Sequence, residues 1–380
     1  MGKSRDNVIL KGFVFILTFF VLSCATRKKG NPLNTENRDK LREVTKAPYF
    51  DDLIIVDSLG VTGADGVISF PLNDNLSIFM MGDSFLTPVR NKKRDVNSPM
   101  INNTFITLNR REGAHNAFYQ GTTNNPDSFL KPIHGNKDGY YWPGHGFQSN
   151  GRLHVFMSRF LHGDGAWGFK FSGTDYITMD AKTFKVISQQ DFPYSNQNHV
   201  HYGHSVIHTS NYTYIYGTWS SKDSTALHLA RGKLDKDNNL LYSFQFFDGK
   251  GWTADPIGSA PLIGVVQPVP EQFSVFKYGN LFILILQARE LGNGNIYSYT
   301  SNTPTGPWRN ERLLYHTTEQ DNVKDEVFTY NAMAHPQYIT DNKLLVSYCV
   351  NSFDVSKIHK VNTDYYRPKF IWVPMERILE

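Results

Sequence analysis

Asp65 and Asp83 stand nine residues to either side of Asp74, in the stretch "GADGVISFPLNDNLSIFMMGDSF" from Gly63 to Phe85. Apolar runs flank the polar turn "PLNDN", so the stretch reads as a hairpin. In a regular hairpin centred on Asp74 the two carboxyls face each other, with Cβ atoms roughly 4.5–5.5 Å apart. Like charges at that range repel, so one carboxyl resists ionisation and keeps a proton near neutral pH. A protonated acid beside an ionised carboxylate is the equipment for breaking a glycosidic bond. A bulge near "GDSF" would alter their separation. The plainer reading makes Asp65 a turn cap and Asp83 a partner of loop amides. Two acids at one open strand end favour the catalytic reading.

The elements that must hold this pair are strands. Short runs rich in Val, Ile, Phe, Tyr and Thr alternate with Gly, Asn and Asp, and helical patterns are few. Tight turns are expected at Asn150-Gly151, Ser210-Asn211, Gly279-Asn280 and Asp341-Asn342. Aligned on their turns, five hairpins resemble one another. They open at "GADG", "WPGHG", "HYGHS", "PEQFS" and "YNAMAHP", and a third strand often follows. Such repetition predicts an all-β fold, a five-bladed β-propeller, in which the first strand of each blade lines a central channel. A two-sheet sandwich would explain the strands but not the five similar openings.

The propeller gathers the opening residues at one mouth, where ligands collect. The first hairpin supplies Asp65 and Asp83, and "NSPMINNTF" adds Asn102 and Asn103. Later hairpins add Trp142, His145, His201, Tyr202, His204, Glu271, Gln272, Tyr330, Asn331 and His335. Aromatic rings stack on sugar faces, and amides and acids bond hydroxyls, so the set suits a neutral sugar chain. Arg231, mid-strand in "LHLARGKLD", either pairs with an acid of the site or lies on an outer strand. If "NHVHYGH" is a strand, His199 and His201 share a face, a spacing that suits zinc. With no H-E-x-x-H pattern and no cysteine nearby, they read as hydroxyl-binding or core histidines. No metal and no cofactor are expected. P-loop, Rossmann and G-x-S-x-G signatures are absent from the sequence.

Across 380 residues, 39 Lys and Arg oppose 35 Asp and Glu, a balance too mild for a nucleic-acid partner. The start carries Lys3, Arg5 and Lys11, then the apolar run Phe13–Leu22, then "VLSC" ending at Cys24. That run suits a signal peptide and is too short to span a bilayer. The expected organisation is therefore a lipoprotein signal peptide over 1–23 and a flexible tether over 24–46, starting at a lipidated Cys24. A catalytic propeller follows over 47–380. The product would be an exported bacterial lipoprotein held at the outer membrane. Lipidation would leave Cys349 without an intramolecular disulfide partner.

"TGADGVISF…MGDSF", "NSPMINNTF", "PEQFSVFKYG", "SNTPTGPW" and "YNAMAHPQY…LLVSYCVNS" occur in that order. Together they resemble a bacterial five-bladed propeller family, long carried as a domain of unknown function, that includes the endo-D-arabinanases of glycoside hydrolase family 183. The resemblance implies internal cleavage of D-arabinan, with the acids of "ADG" and "GDSF", here Asp65 and Asp83, as the catalytic pair. Likeness to inverting propellers favours inversion, whereas ideal cross-strand spacing favours the shorter separation of retaining enzymes. The alternatives are an L-arabinan or xylan hydrolase on the same fold and a non-catalytic glycan-binding lipoprotein.

Overall fold

A computed structural model describes residues 43–380, apart from 58–59, 110–112, 114, 136–137, 164–167, 241–243 and 323–325. The signal segment, Cys24 and most of the expected tether lie outside the described residues.

The described chain is all-β, built from five antiparallel meanders. Sheet I holds Ile68–Pro71, Leu76–Met81, Thr104–Asn109 and His115–Phe118. Sheet II holds Tyr140–Ser149, Arg152–His162, Phe169–Asp180 and Val186–Phe192. Sheet III runs Val200–His208, Thr213–Ser220, Thr225–Gly232, Gln245–Phe247 and Trp252–Thr253. Sheet IV contains Ser274–Tyr278, Leu281–Gln287, Asn295–Ser301 and Arg309–His316. Sheet V contains Val327–Thr340, Lys343–Ser352 and Lys369–Pro374, and its outer edge is Thr45–Lys46 from the other end of the chain. Thr45 and Lys46 pair with Trp372 and Ile371, so the last two residues of the expected tether belong to a sheet.

Turn chemistry explains the strand pairing. Asn150 and Gly151 both take positive φ, as do Asp341 and Asn342, the conformation that two-residue hairpin turns require. The Ser210-Asn211 turn is longer: His208 pairs with Thr213, and Thr209 closes the loop by donating to the Tyr212 carbonyl at 2.9 Å.

Apolar side chains on both faces of the inner strands build the core between sheets. Phe70, Ile78 and Phe105 of sheet I meet Leu153, Val155 and Ile177 of sheet II. Phe156 and Tyr176 continue to Val206 and Ile215 of sheet III, and Tyr216 and Leu229 to Leu284 of sheet IV. Ile283 and Ile285 then meet Val346 and Ile371 of sheet V, while Leu345 and Phe370 return to Phe79 and Ile106 of sheet I. The five cores thus run in a circle. Each fully buried Val, Leu, Ile or Phe contributes about 1.5–3 kcal/mol, so stability is spread over every seam.

The opening strands are irregular at one end. Register shifts lie between Pro143 and Gly146, between Tyr202 and Ser205, and between Tyr330 and Met333. In the first hairpin the interruption is symmetric, and the ladder resumes beyond it as a separate small sheet. Ile68 pairs with Met80, and beyond a gap Ala64 pairs with Ser84 and Gly63 with Phe85. Each strand skips three residues, Asp65–Val67 and Met81–Asp83, so the register about Asp74 survives the break. Bulges re-aim side chains next to a ladder, and these gather polar residues at one end of the inner strands.

Candidate active site

Asp65 and Asp83 occupy the break in the first hairpin. The Asp65 N–H donates to the Asp83 carbonyl at 3.3 Å, and the Gly82 N–H donates to the Asp65 carbonyl at 2.8 Å. Both acids line a cavity of about 1550 Å³.

Each carboxyl has its own donors. Asp65 Oδ2 accepts from the Tyr330 hydroxyl at 2.7 Å. Asp83 Oδ1 accepts from Trp142 Nε1 at 2.8 Å and from Asn102 Nδ2 at 2.9 Å. The Tyr366 hydroxyl donates to the Asp83 carbonyl at 3.2 Å, bracing the loop between them. Burial, with the charge of Asp83 beside it, pushes Asp65 up to about 7, against the opposing pull of the Tyr330 and Tyr366 hydroxyls. Burial raises Asp83 too, but the Trp142 and Asn102 donors and nearby His162 pull it back. Burial thus favours the protonated form at both carboxyls, with the neighbouring charge added at Asp65 and two donors opposing it at Asp83.

Sheet II supplies an aromatic wall. The Trp142 ring centroid lies 4.5 Å from Phe160 and 4.7 Å from Phe169, with Tyr140 5.6 Å away. These four and Phe171 line the cavity. His201, His204, Glu271, Gln272 and Arg289 line the cavity too, and His201 packs on that wall, its ring centroid 3.8 Å from Phe171 and 6.0 Å from Phe160.

Gly82 packs directly against the acid. A Cβ at this position would sit 2.5 Å from Asp65 Oδ1. Gly82→Ala is therefore expected to displace the Asp65 carboxyl and reduce turnover about 10²-fold, with the thermal melt unchanged within a few degrees. Kinetics and a melt on the same sample check this. Full turnover in the variant would show that the carboxyl position is not critical.

A family model described as a domain of unknown function, DUF5005, matches residues 49–375. The chain belongs to the DUF5005 family. No curated protein matches it. Among solved structures it is similar to a Bacteroides ovatus protein provisionally described as a hydrolase. That match has 18% identity and a TM-score of 0.72, covering 87% of this chain and 89% of that one. It is less similar to a GH43 enzyme from Xanthomonas citri complexed with xylose, at 13% identity and TM-score 0.47, with 86% and 92% covered. An α-L-arabinofuranosidase from Podospora anserina in complex with cellotriose matches at 14% identity and TM-score 0.46, with 83% and 92% covered.

In this DUF5005 protein the expected site residues divide. Asp65, Asp83, Asn102, Trp142, His201, His204, Glu271, Gln272, Tyr330 and Asn331 line the cavity. The others are elsewhere. Asn103 is fully buried, bonding the Leu130 N–H and the Leu130 and Tyr141 carbonyls, so its neighbour Asn102 reaches the site instead. Tyr202 is buried on the far side of its strand, its hydroxyl bonded to Asn198 and Ser259. His335 is clamped between Ser69 at 2.6 Å and Ser347 at 2.9 Å, and burial lowers its pKa to about 3. His145 packs on Phe70 below the cavity, where burial lowers it to about 4. Arg231 lies on the middle strand of sheet III, paired with Tyr214 and Gln245, its guanidinium over Trp252 and Tyr212 and bonded to the Gln245 side chain, outside the cavity lining.

His199 does not share a strand face with His201. It ends a short helix in the left-handed conformation, φ +59°, before the strand begins. The bulge at Gly203 and His204 instead brings His204 beside His201, with ring centroids 4.0 Å apart. Residues that sequence reasoning missed include Tyr140, Phe160, Phe169, His162, Arg289 and Tyr366, all lining the cavity. A signal existed for the first three: aromatic residues recur at both ends of the second hairpin.

Proposed function

We propose that this protein is a glycoside hydrolase in which Asp65 is the general acid and Asp83 the base or nucleophile. The observation that carries the reading is the pair of carboxyls set in the break of the first hairpin, both lining the cavity, with Tyr330 donating to Asp65 and Trp142 and Asn102 donating to Asp83. Asp65 would protonate the leaving oxygen while Asp83 activates water or attacks the sugar carbon. The aromatic wall offers faces on which sugar rings stack. Five meanders joined in a circle by their inner strands support a five-bladed propeller, a scaffold that by itself does not fix activity.

The substrate we propose is D-arabinan, cleaved internally. That step rests on the resemblance carried by "ADG" followed by "GDSF" and by "SNTPTGPW". Export as a lipoprotein anchored through Cys24 completes the proposal, supported by Phe13–Leu22 and "VLSC". The test is incubation with D-arabinan, L-arabinan and xylan, sizing the products and reading their first-formed anomer by NMR. Short oligosaccharides from D-arabinan alone are expected. Release from L-arabinan or xylan instead would move the substrate. Saturable binding without any release would sink the hydrolase in favour of a binding module.

A further inference from the structure

The geometry points to a second site in the same cavity, beside the aromatic wall: we propose that His201, His204 and Glu271 hold one divalent transition-metal ion. In a regular strand the spacing that suits zinc pairs His201 with His199, and residues 201 and 204 turn to opposite faces. The Gly203–His204 bulge removes that objection.

Glu271 Oε2 lies 3.7 Å from His201 Nδ1 and 3.8 Å from His204 Nε2. These gaps are too long for hydrogen bonds. They fit two ligands of one ion, since metal–nitrogen and metal–oxygen bonds of about 2.0–2.2 Å place cis ligands roughly 3–4 Å apart. All three donor atoms fall within 4.8 Å of one another. His204 is only 4% exposed, and its Nε2 is buried without a hydrogen-bond partner among the described residues. A buried, unpartnered nitrogen facing a carboxylate is costly unless something lies between them.

The surroundings prepare each donor. Ser158 Oγ bonds His201 Nε2 at 2.6 Å. If that nitrogen carries the proton, Nδ1 keeps its lone pair toward Glu271, the arrangement that orients metal-binding imidazoles. Glu271 divides its oxygens: Oε1 accepts from Ser220 at 3.2 Å and lies 3.9 Å from Arg289, leaving Oε2 for the two imidazoles. Two nitrogens and one oxygen suit Zn²⁺ or Co²⁺ rather than Ca²⁺ or Mg²⁺, which prefer oxygen donors. Three protein donors leave room for water or a sugar hydroxyl from the cavity.

The test uses the full-length chain, stripped by chelator, dialysed and titrated with Zn²⁺ by calorimetry and with Co²⁺ by visible absorption. One Zn²⁺ per chain is expected, with Co²⁺ bands of a low-coordinate nitrogen site. Glu271→Gln and His204→Ala should each weaken Zn²⁺ binding on the order of 100-fold, and His199→Ala should leave it unchanged. Metal-free melts verify folding. Should His204→Ala unfold, Glu271→Gln decides, because it alters a half-exposed side chain by one atom. No stoichiometric binding, equal affinity in Glu271→Gln, or loss through His199→Ala would each overturn the site. None of these readouts depends on glycan cleavage, so failure here and failure of the hydrolase reading are distinguishable.

Discussion

Asp65→Asn is expected to lose glycan cleavage and to gain stability at neutral pH. Loss of a general acid costs about 10²–10⁴-fold in turnover. The stability gain follows from proton linkage. Folding lifts Asp65 from 3.8 to about 7, because burial and the neighbouring Asp83 charge disfavour its ionised form. A raised carboxyl gives its full stability only below the unfolded value, and that contribution disappears as pH rises toward the folded one. Wild-type protein therefore weakens between about pH 4 and 7 relative to a variant with no proton to lose. The difference should reach the order of a few kcal/mol and then level off. Urea melts of both proteins at pH 4, 6 and 8 measure it. A gap that stays flat with pH would mean Asp65 is not perturbed as described.

The second large effect is a pH–rate profile bounded by the pair. A general acid must be protonated, so kcat/KM should fall as pH rises through about 7, where Asp65 ionises. Its partner must be charged, so the rate should also fall as pH drops through the raised value of Asp83. The limbs belong to the coupled pair, but the donors move them separately. Tyr330→Phe removes a hydroxyl that favours charged Asp65, so the basic limb moves to higher pH. Trp142→Phe removes an N–H that favours charged Asp83, so the acidic limb moves upward. Steady-state kinetics from pH 4 to 9 on the three proteins check both signs. A basic limb that shifts downward in Tyr330→Phe would remove Asp65 from the acid role.

The hairpin was legible because its register depends on turn position, and the turn chemistry of "PLNDN" is local. Asp65 and Asp83 follow directly from it, and five matching openings carry the sheet order. What failed is the side on which each opening residue ends up. Asn103 and Tyr202 stand next to a cavity-lining residue and His335 four residues from one, yet each is buried elsewhere. A single extra residue in a strand inverts every side chain after it. The shifts at Pro143–Gly146 and Tyr330–Met333 each insert one such residue, and the bulge at Tyr202–Ser205 inserts two. Bulges carry weak sequence signals, although Gly203 at φ +103° marks one of them. Tyr366 escaped notice for another reason: it reaches Asp83 from 283 residues away, through a late loop with no strand pattern.

The two-residue strand Thr45–Lys46 has a practical consequence. It covers the outer edge of Lys369–Pro374, where Trp372 and Ile371 would otherwise present open backbone groups. A recombinant protein begun at residue 47, the boundary that composition suggests, would lose that cover. Its exposed edge is a template for pairing with another copy, and such a preparation would be prone to precipitate. Starting at residue 43 keeps the edge paired, and the solubility of the two preparations compared side by side measures what that cover contributes.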